Sequence, residues 1–82
     1  MNKQIVDFKY FTEKESLKAV RKNGLELQFV KEQTNNICLA AVKQNGYALC
    51  YVENKTEEIK LVAYKQNSKM LEFIEILKKN IE

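Results

Sequence analysis

The chain has no proline, no histidine and no tryptophan, and only two glycines and two cysteines among 82 residues. Without proline, nothing rigid stops a helix, so element ends must come from capping chemistry and from two Asn-Gly steps, Asn23-Gly24 and Asn45-Gly46. Without histidine, the side chain that most readily exchanges protons near neutral pH and binds zinc is missing. Cys38 and Cys50 therefore read as free, reduced thiols, and no metal or cofactor is implied. No apolar run approaches the roughly 20 residues needed to cross a bilayer. Asp7 and Lys9 interrupt the stretch that a signal peptide would require. The expectation is a cytoplasmic protein without contact to a membrane.

Charge of one sign is also scarce. Fourteen basic and 11 acidic side chains leave a net charge of +3, too mild for the concentrated basic patch of a dedicated nucleic-acid binder. Hydrophobic residues make up 45% and charged residues 30%, a balance that folds rather than staying disordered.

What is present is a repeat of 22 residues. Blocks 12–33, 34–55 and 56–77 read TEKESLKAVRKNGLELQFVKEQ, TNNICLAAVKQNGYALCYVENK and TEEIKLVAYKQNSKMLEFIEIL. Five columns are identical in all three: Thr12/Thr34/Thr56, Leu17/Leu39/Leu61, Ala19/Ala41/Ala63, Asn23/Asn45/Asn67 and Leu27/Leu49/Leu71. A period of this size marks stacked units, none of which buries its apolar face alone. The fold expected is all-α, a small stack of helix-turn-helix repeats forming one domain over 1–82.

In each block the threonine is placed to cap a helix N-terminus, and Thr12 with Glu15 has the capping-box spacing. Glu13, Glu57 and Glu58 sit in first turns and Arg21, Lys43 and Lys65 near last turns, each sign where the helix dipole favours it. In the middle block Ile37, Leu39, Ala41 and Val42 form the apolar side. The Asn-Gly step is expected to end the helix with glycine in the left-handed conformation. A second helix over 47–53 follows, carrying Leu49 and Val52 inward. The alanine column allows close helix crossings. The aromatic column Phe29/Tyr51/Phe73 shares its phase with Leu27/Leu49/Leu71 and reads as core.

The ends differ from the pattern, as terminal units must. Ser68 replaces glycine in the third block, and Ile76, Leu77 and Ile81 extend the final helix into a cap over 78–82. At the other end, Ile5 and Phe8 fall 22 residues before Leu27 and Val30, which suggests a degenerate second helix over 1–11. The alternation of Val6, Phe8 and Tyr10 with Asp7 and Lys9 offers a short strand instead.

The phrases ICLAAVKQNGYALCYV and AVRKNGLELQFV closely resemble the AAVKQNGxALxYV repeat that recurs in bacterial and viral proteins, the family named domain of unknown function 4116. The resemblance covers Thr12 to Ile74, with departures at Val62, Tyr64 and Ser68. It supplies no catalytic residues. It implies a helical repeat used for binding; by analogy, short single-domain versions from phages and mobile elements would inhibit host machinery, anti-CRISPR proteins included.

The residues themselves point the same way. There is no glycine-rich phosphate loop and no histidine to activate a thiol, so an enzyme is not expected. The middle block replaces the charges of its neighbours with Ala40, Tyr47, Ala48 and Cys50, a candidate contact patch. Tyr47, with Lys43 and Cys50, is the leading partner-binding candidate. The basic column Arg21/Lys43/Lys65 is a second one, for an acidic protein surface or an RNA backbone. Its simpler explanation is helix C-terminal charge complementarity. The expected partner is a protein or ribonucleoprotein, with direct RNA binding and a homo-oligomer as the alternatives.

Overall fold

A computed structural model describes residues 7–67. Three α-helices recur at 22-residue intervals: α1 (Glu13–Lys22), α2 (Asn35–Gln44) and α3 (Glu57–Gln66). Each begins as the threonine column requires. The hydroxyls of Thr12, Thr34 and Thr56 accept from the amides of Glu15, Ile37 and Ile59. The capping box at Thr12 is displaced by one residue, because the Glu15 carboxylate accepts from the Phe11 amide at 3.3 Å.

The helix ends differ from the sequence expectation. No glycine among the described residues has positive φ, so neither Asn-Gly step closes its helix in the left-handed conformation. Asn23, Asn45 and Asn67 instead take extended backbone and donate their amides to Ala19, Ala41 and Ala63. The side chains of Asn23 and Asn45 then accept from Leu25 and Tyr47, capping the next element at its start. One residue thus ends one helix and begins another. Its extended backbone removes any need for a left-handed glycine.

Those next elements are 3₁₀ helices, Gly24–Phe29 and Gly46–Tyr51, shorter and tighter than the second helix expected over 47–53. A six-residue segment leaving directly from an asparagine cap has room for two tight turns and no more. The remaining half-repeat, from Ser68 through Phe73 to Ile81, lies outside the described residues, as do residues 1–6.

The α-helices stack in order, α1 on α2 and α2 on α3, while the two 3₁₀ helices pack on each other as a second layer. The core lies between the layers. Val20, Leu27, Val30, Ile37, Ala41, Val42, Leu49, Val52, Ile59 and Ala63 are all buried there. Burying side chains of this kind contributes about 1.5–3 kcal/mol each before conformational entropy is subtracted.

The N-terminal segment is not helical over residues 7–11. Tyr10 forms an isolated parallel bridge with Val30, with Lys9 N donating to Phe29 O at 2.9 Å and Lys31 N to Tyr10 O at 3.0 Å. Extended chain satisfies both its own amides and the carbonyl of Phe29, which no following helix takes up.

Two side-chain amides couple the units. Gln44 Oε1 accepts from Gly24 N at 2.6 Å, tying the end of α2 to the start of the first 3₁₀ helix. Gln33 Nε2 donates to Tyr51 O at 2.8 Å while its Oε1 accepts from Glu53 N at 3.0 Å.

Candidate functional site

Side by side, α1 and α2 leave a solvent-open groove of about 530 Å³ between their outer faces. From α1 come Leu17 and Arg21, four residues apart and therefore on one face. From α2 come Asn36, Leu39, Ala40, Lys43 and Gln44. The floor is aliphatic. Leu17, Leu39 and Ala40 are half-buried, touching the core on one side and open on the other.

Arg21 and Lys43 stand at the same end of the groove, each in the last turn of its helix. Both are exposed, and neither has an ion-pair or hydrogen-bond partner for its side chain among the described residues. The ion pair that the described residues do form is Lys60 with Glu57 at 3.1 Å, on α3. Gln44 closes that end of the groove by its bond to Gly24.

The sequence candidates are thus partly gathered and partly dispersed. Arg21 and Lys43 line one groove. Lys65 occupies the same position on α3, one helix further along, and is exposed. Tyr47 is 49% exposed at the start of the second 3₁₀ helix, and Cys50 is exposed on the same helix; neither lines the groove. Ala48 is fully buried, so the uncharged patch expected from Ala40, Tyr47, Ala48 and Cys50 is not continuous. The short 3₁₀ turn rotates Ala48 inward beside Leu49.

The two described members of the aromatic column, Phe29 and Tyr51, are likewise not core, and Phe73 lies outside the described residues. Phe29 is half-buried beneath Lys9, whose Nζ lies 4.4 Å from the ring centre, and Tyr51 is 37% exposed. The 3₁₀ period of three residues sends Leu27 and Val30, or Leu49 and Val52, inward and leaves the aromatic between them outside.

Sequence reasoning missed the leucine column as a surface feature. Leu17 and Leu39 floor the groove, and Leu61 is 57% exposed on α3. The signal was there in the i, i+4 pairing of each leucine with a cation: Leu17 with Arg21, Leu39 with Lys43, Leu61 with Lys65.

The thiols differ sharply in setting. Cys38 is buried, with its Sγ 3.4 Å from Gln33 Oε1, and burial followed by the charge of Glu53 pushes the thiol's pKa up. In the sister position of the first unit, Ser16 is also buried and donates to Thr12 O at 2.7 Å. Among the described residues, no group of three His, Cys, Asp or Glu side chains could hold a metal ion. No helix among them is long and apolar enough to cross a membrane.

The family described as Domain of unknown function (DUF4116) matches residues 16–56, half of the chain. The chain belongs to this family. The match begins inside α1, ends at the cap of α3, and contains every residue lining the groove. Lys65 and the N-terminal segment lie outside it. No curated protein and no solved structure matches the chain.

Proposed function

We propose that this chain is a non-enzymatic helical-repeat module that works by binding another protein. Its contact face would comprise the α1–α2 groove and the turn after α2 that presents Tyr47. The observation that carries this reading is an aliphatic floor left open to solvent beside two cations that have no side-chain partner among the described residues. An apolar centre that sheds water, with charges at its rim that orient the approach, is the usual anatomy of an interface. The lining offers aliphatic, amide and cationic groups and no carboxylate, thiol or imidazole, which suits binding better than proton transfer. Such a module acts by occupying its partner's surface, and an inhibitor of host machinery, an anti-CRISPR protein included, would work in that way.

The test is affinity purification of the tagged chain from its native host, followed by mass spectrometry and by one substitution. Tyr47→Ala is expected to weaken capture of the protein partner by about 2 kcal/mol or more. Helical circular dichroism and melting temperature should hardly change, because the ring is half in solvent. Recovery of RNA alone, or of nothing but further copies of the chain, would reject the reading.

A further inference from the structure

We infer that the α1–α2 groove receives an acidic amphipathic helix of the partner protein. Its apolar ridge would lie on Leu17, Leu39 and Ala40, and its carboxylates beside Arg21 and Lys43; the inference rests on the protein-binding reading above. Three features select this occupant. The groove runs between two neighbouring helices from Asn36 to Lys43, about 10 Å at 1.5 Å per residue, which matches two turns of a third helix. Ridges of one helix settle into grooves of this kind, as they do within the stack itself.

The second feature is charge. The lining holds two cations and no anion, and both cations are exposed and unpaired among the described residues. A carboxylate on the incoming helix would meet them at the rim without losing all its water, the arrangement that guides association and sets orientation. The third feature is the floor. It is aliphatic, and none of the exposed aromatic rings among the described residues, Phe8, Phe11, Tyr47 or Tyr51, lines the groove. Single-stranded nucleic acid draws much of its affinity from stacking on such rings. A leucine-and-alanine floor with cations at one end therefore favours a helix with apolar and acidic faces over an RNA strand.

The experiment uses the full chain, isotope-labelled for amide NMR, and two short labelled peptides of identical Leu, Glu and Ala composition. One places leucine at i, i+4 and i+7 with glutamate alongside; the other is scrambled. The patterned peptide is expected to bind, to shift the amides of Leu17, Arg21, Leu39 and Lys43, and to weaken as salt is raised. Binding should fall about tenfold or more in the double variant Arg21→Glu/Lys43→Glu. Ala40→Glu should act likewise by placing like charge on the floor. If Ala40→Glu melts early, the double variant at two exposed positions still decides.

Equal binding of the scrambled peptide would overturn the inference, as would amide shifts away from the groove. A short labelled single-stranded RNA that binds the groove more tightly than the patterned peptide would overturn it in favour of phosphate. A co-purified protein that is lost on Tyr47→Ala but retained by Arg21→Glu/Lys43→Glu would sink the groove assignment and leave the protein-binding reading intact. Absence of any protein partner for the unaltered chain would count against that broader reading instead, with the peptide titration still judging the groove.

Discussion

At Gly24 a Cβ would run into the backbone carbonyl of Ala41, in the helix of the following unit. The position is glycine because two backbones meet there, and φ plays no part. The distinction is measurable. Gly24→Ala should destabilise by about 1–3 kcal/mol, the range for overpacking. Gly24→Asn should be worse, because a left-handed preference gives it nothing and its larger side chain has nowhere to go. Thermal melts in which asparagine outperforms alanine would restore the left-handed turn. The thiols permit a second test at this scale. Cys50 is exposed while Cys38 is buried with a raised pKa, so an alkylating reagent at mildly alkaline pH should modify Cys50 first and Cys38 far more slowly. Cys38→Ser should nevertheless cost little, because Ser16 shows how a buried hydroxyl in this column is satisfied by the threonine carbonyl. Mass spectrometry showing equal modification rates would contradict the burial of Cys38.

Among the elements, the asparagine column explains why an α-helix can hand over to a 3₁₀ helix through a single residue. The Asn45 amide closes α2 on Ala41 O at 2.9 Å, and its side chain opens the next element on Tyr47 N at 2.9 Å. The N-terminal segment is attached differently, by the Tyr10–Val30 bridge and by Tyr10, whose hydroxyl donates to Glu26 Oε1 at 2.7 Å. That hydrogen bond, then burial and the Glu26 charge, raise the phenol's pKa above its ordinary value of 10.0. A raised acid holds its proton longer in the folded state. The bond therefore contributes fully below the ordinary tyrosine range and is lost as pH rises through the raised value. In an ultraviolet titration, Glu26→Gln should bring the Tyr10 ionisation down toward 10.0, and backbone exchange at Lys31 should quicken. An unchanged titration would mean that the hydroxyl is not held by Glu26.

At the scale of the whole molecule, the core cluster of the described residues is assembled from side chains of all three units, so its stability depends on contacts between adjacent units, as expected for a stack. Ala41 is fully buried where α2 meets the first 3₁₀ helix, whereas Ala40, the next residue, faces the half-open groove. Ala41→Leu should cost about 1–3 kcal/mol through overpacking. Ala40→Leu should cost much less and should fill the groove. Equal shifts in melting temperature would place the helix phase one residue away from where it stands. The pair also distinguishes the two faces of α2, because only Ala40 lines the groove.

Much of this was legible in the chain. The 22-residue spacing, the threonine caps and the inward Ile37, Val42, Leu49 and Val52 follow from local chemistry and from periodicity, both carried by residues close in sequence. The family match over 16–56 falls on the same pattern. Tertiary structure decided the rest. Whether a repeated leucine is buried depends on how far the next helix covers it, which no single unit contains, so Leu17 and Leu39 became a groove floor and Leu61 an exposed side chain. Whether the second element is α or 3₁₀ decides which of Ala48 and Tyr51 points inward, and a six-residue window does not reveal that choice. The role of Gly24 was hidden for the same reason. Its constraint comes from the Ala41 carbonyl, 17 residues away in sequence and brought against it only by stacking.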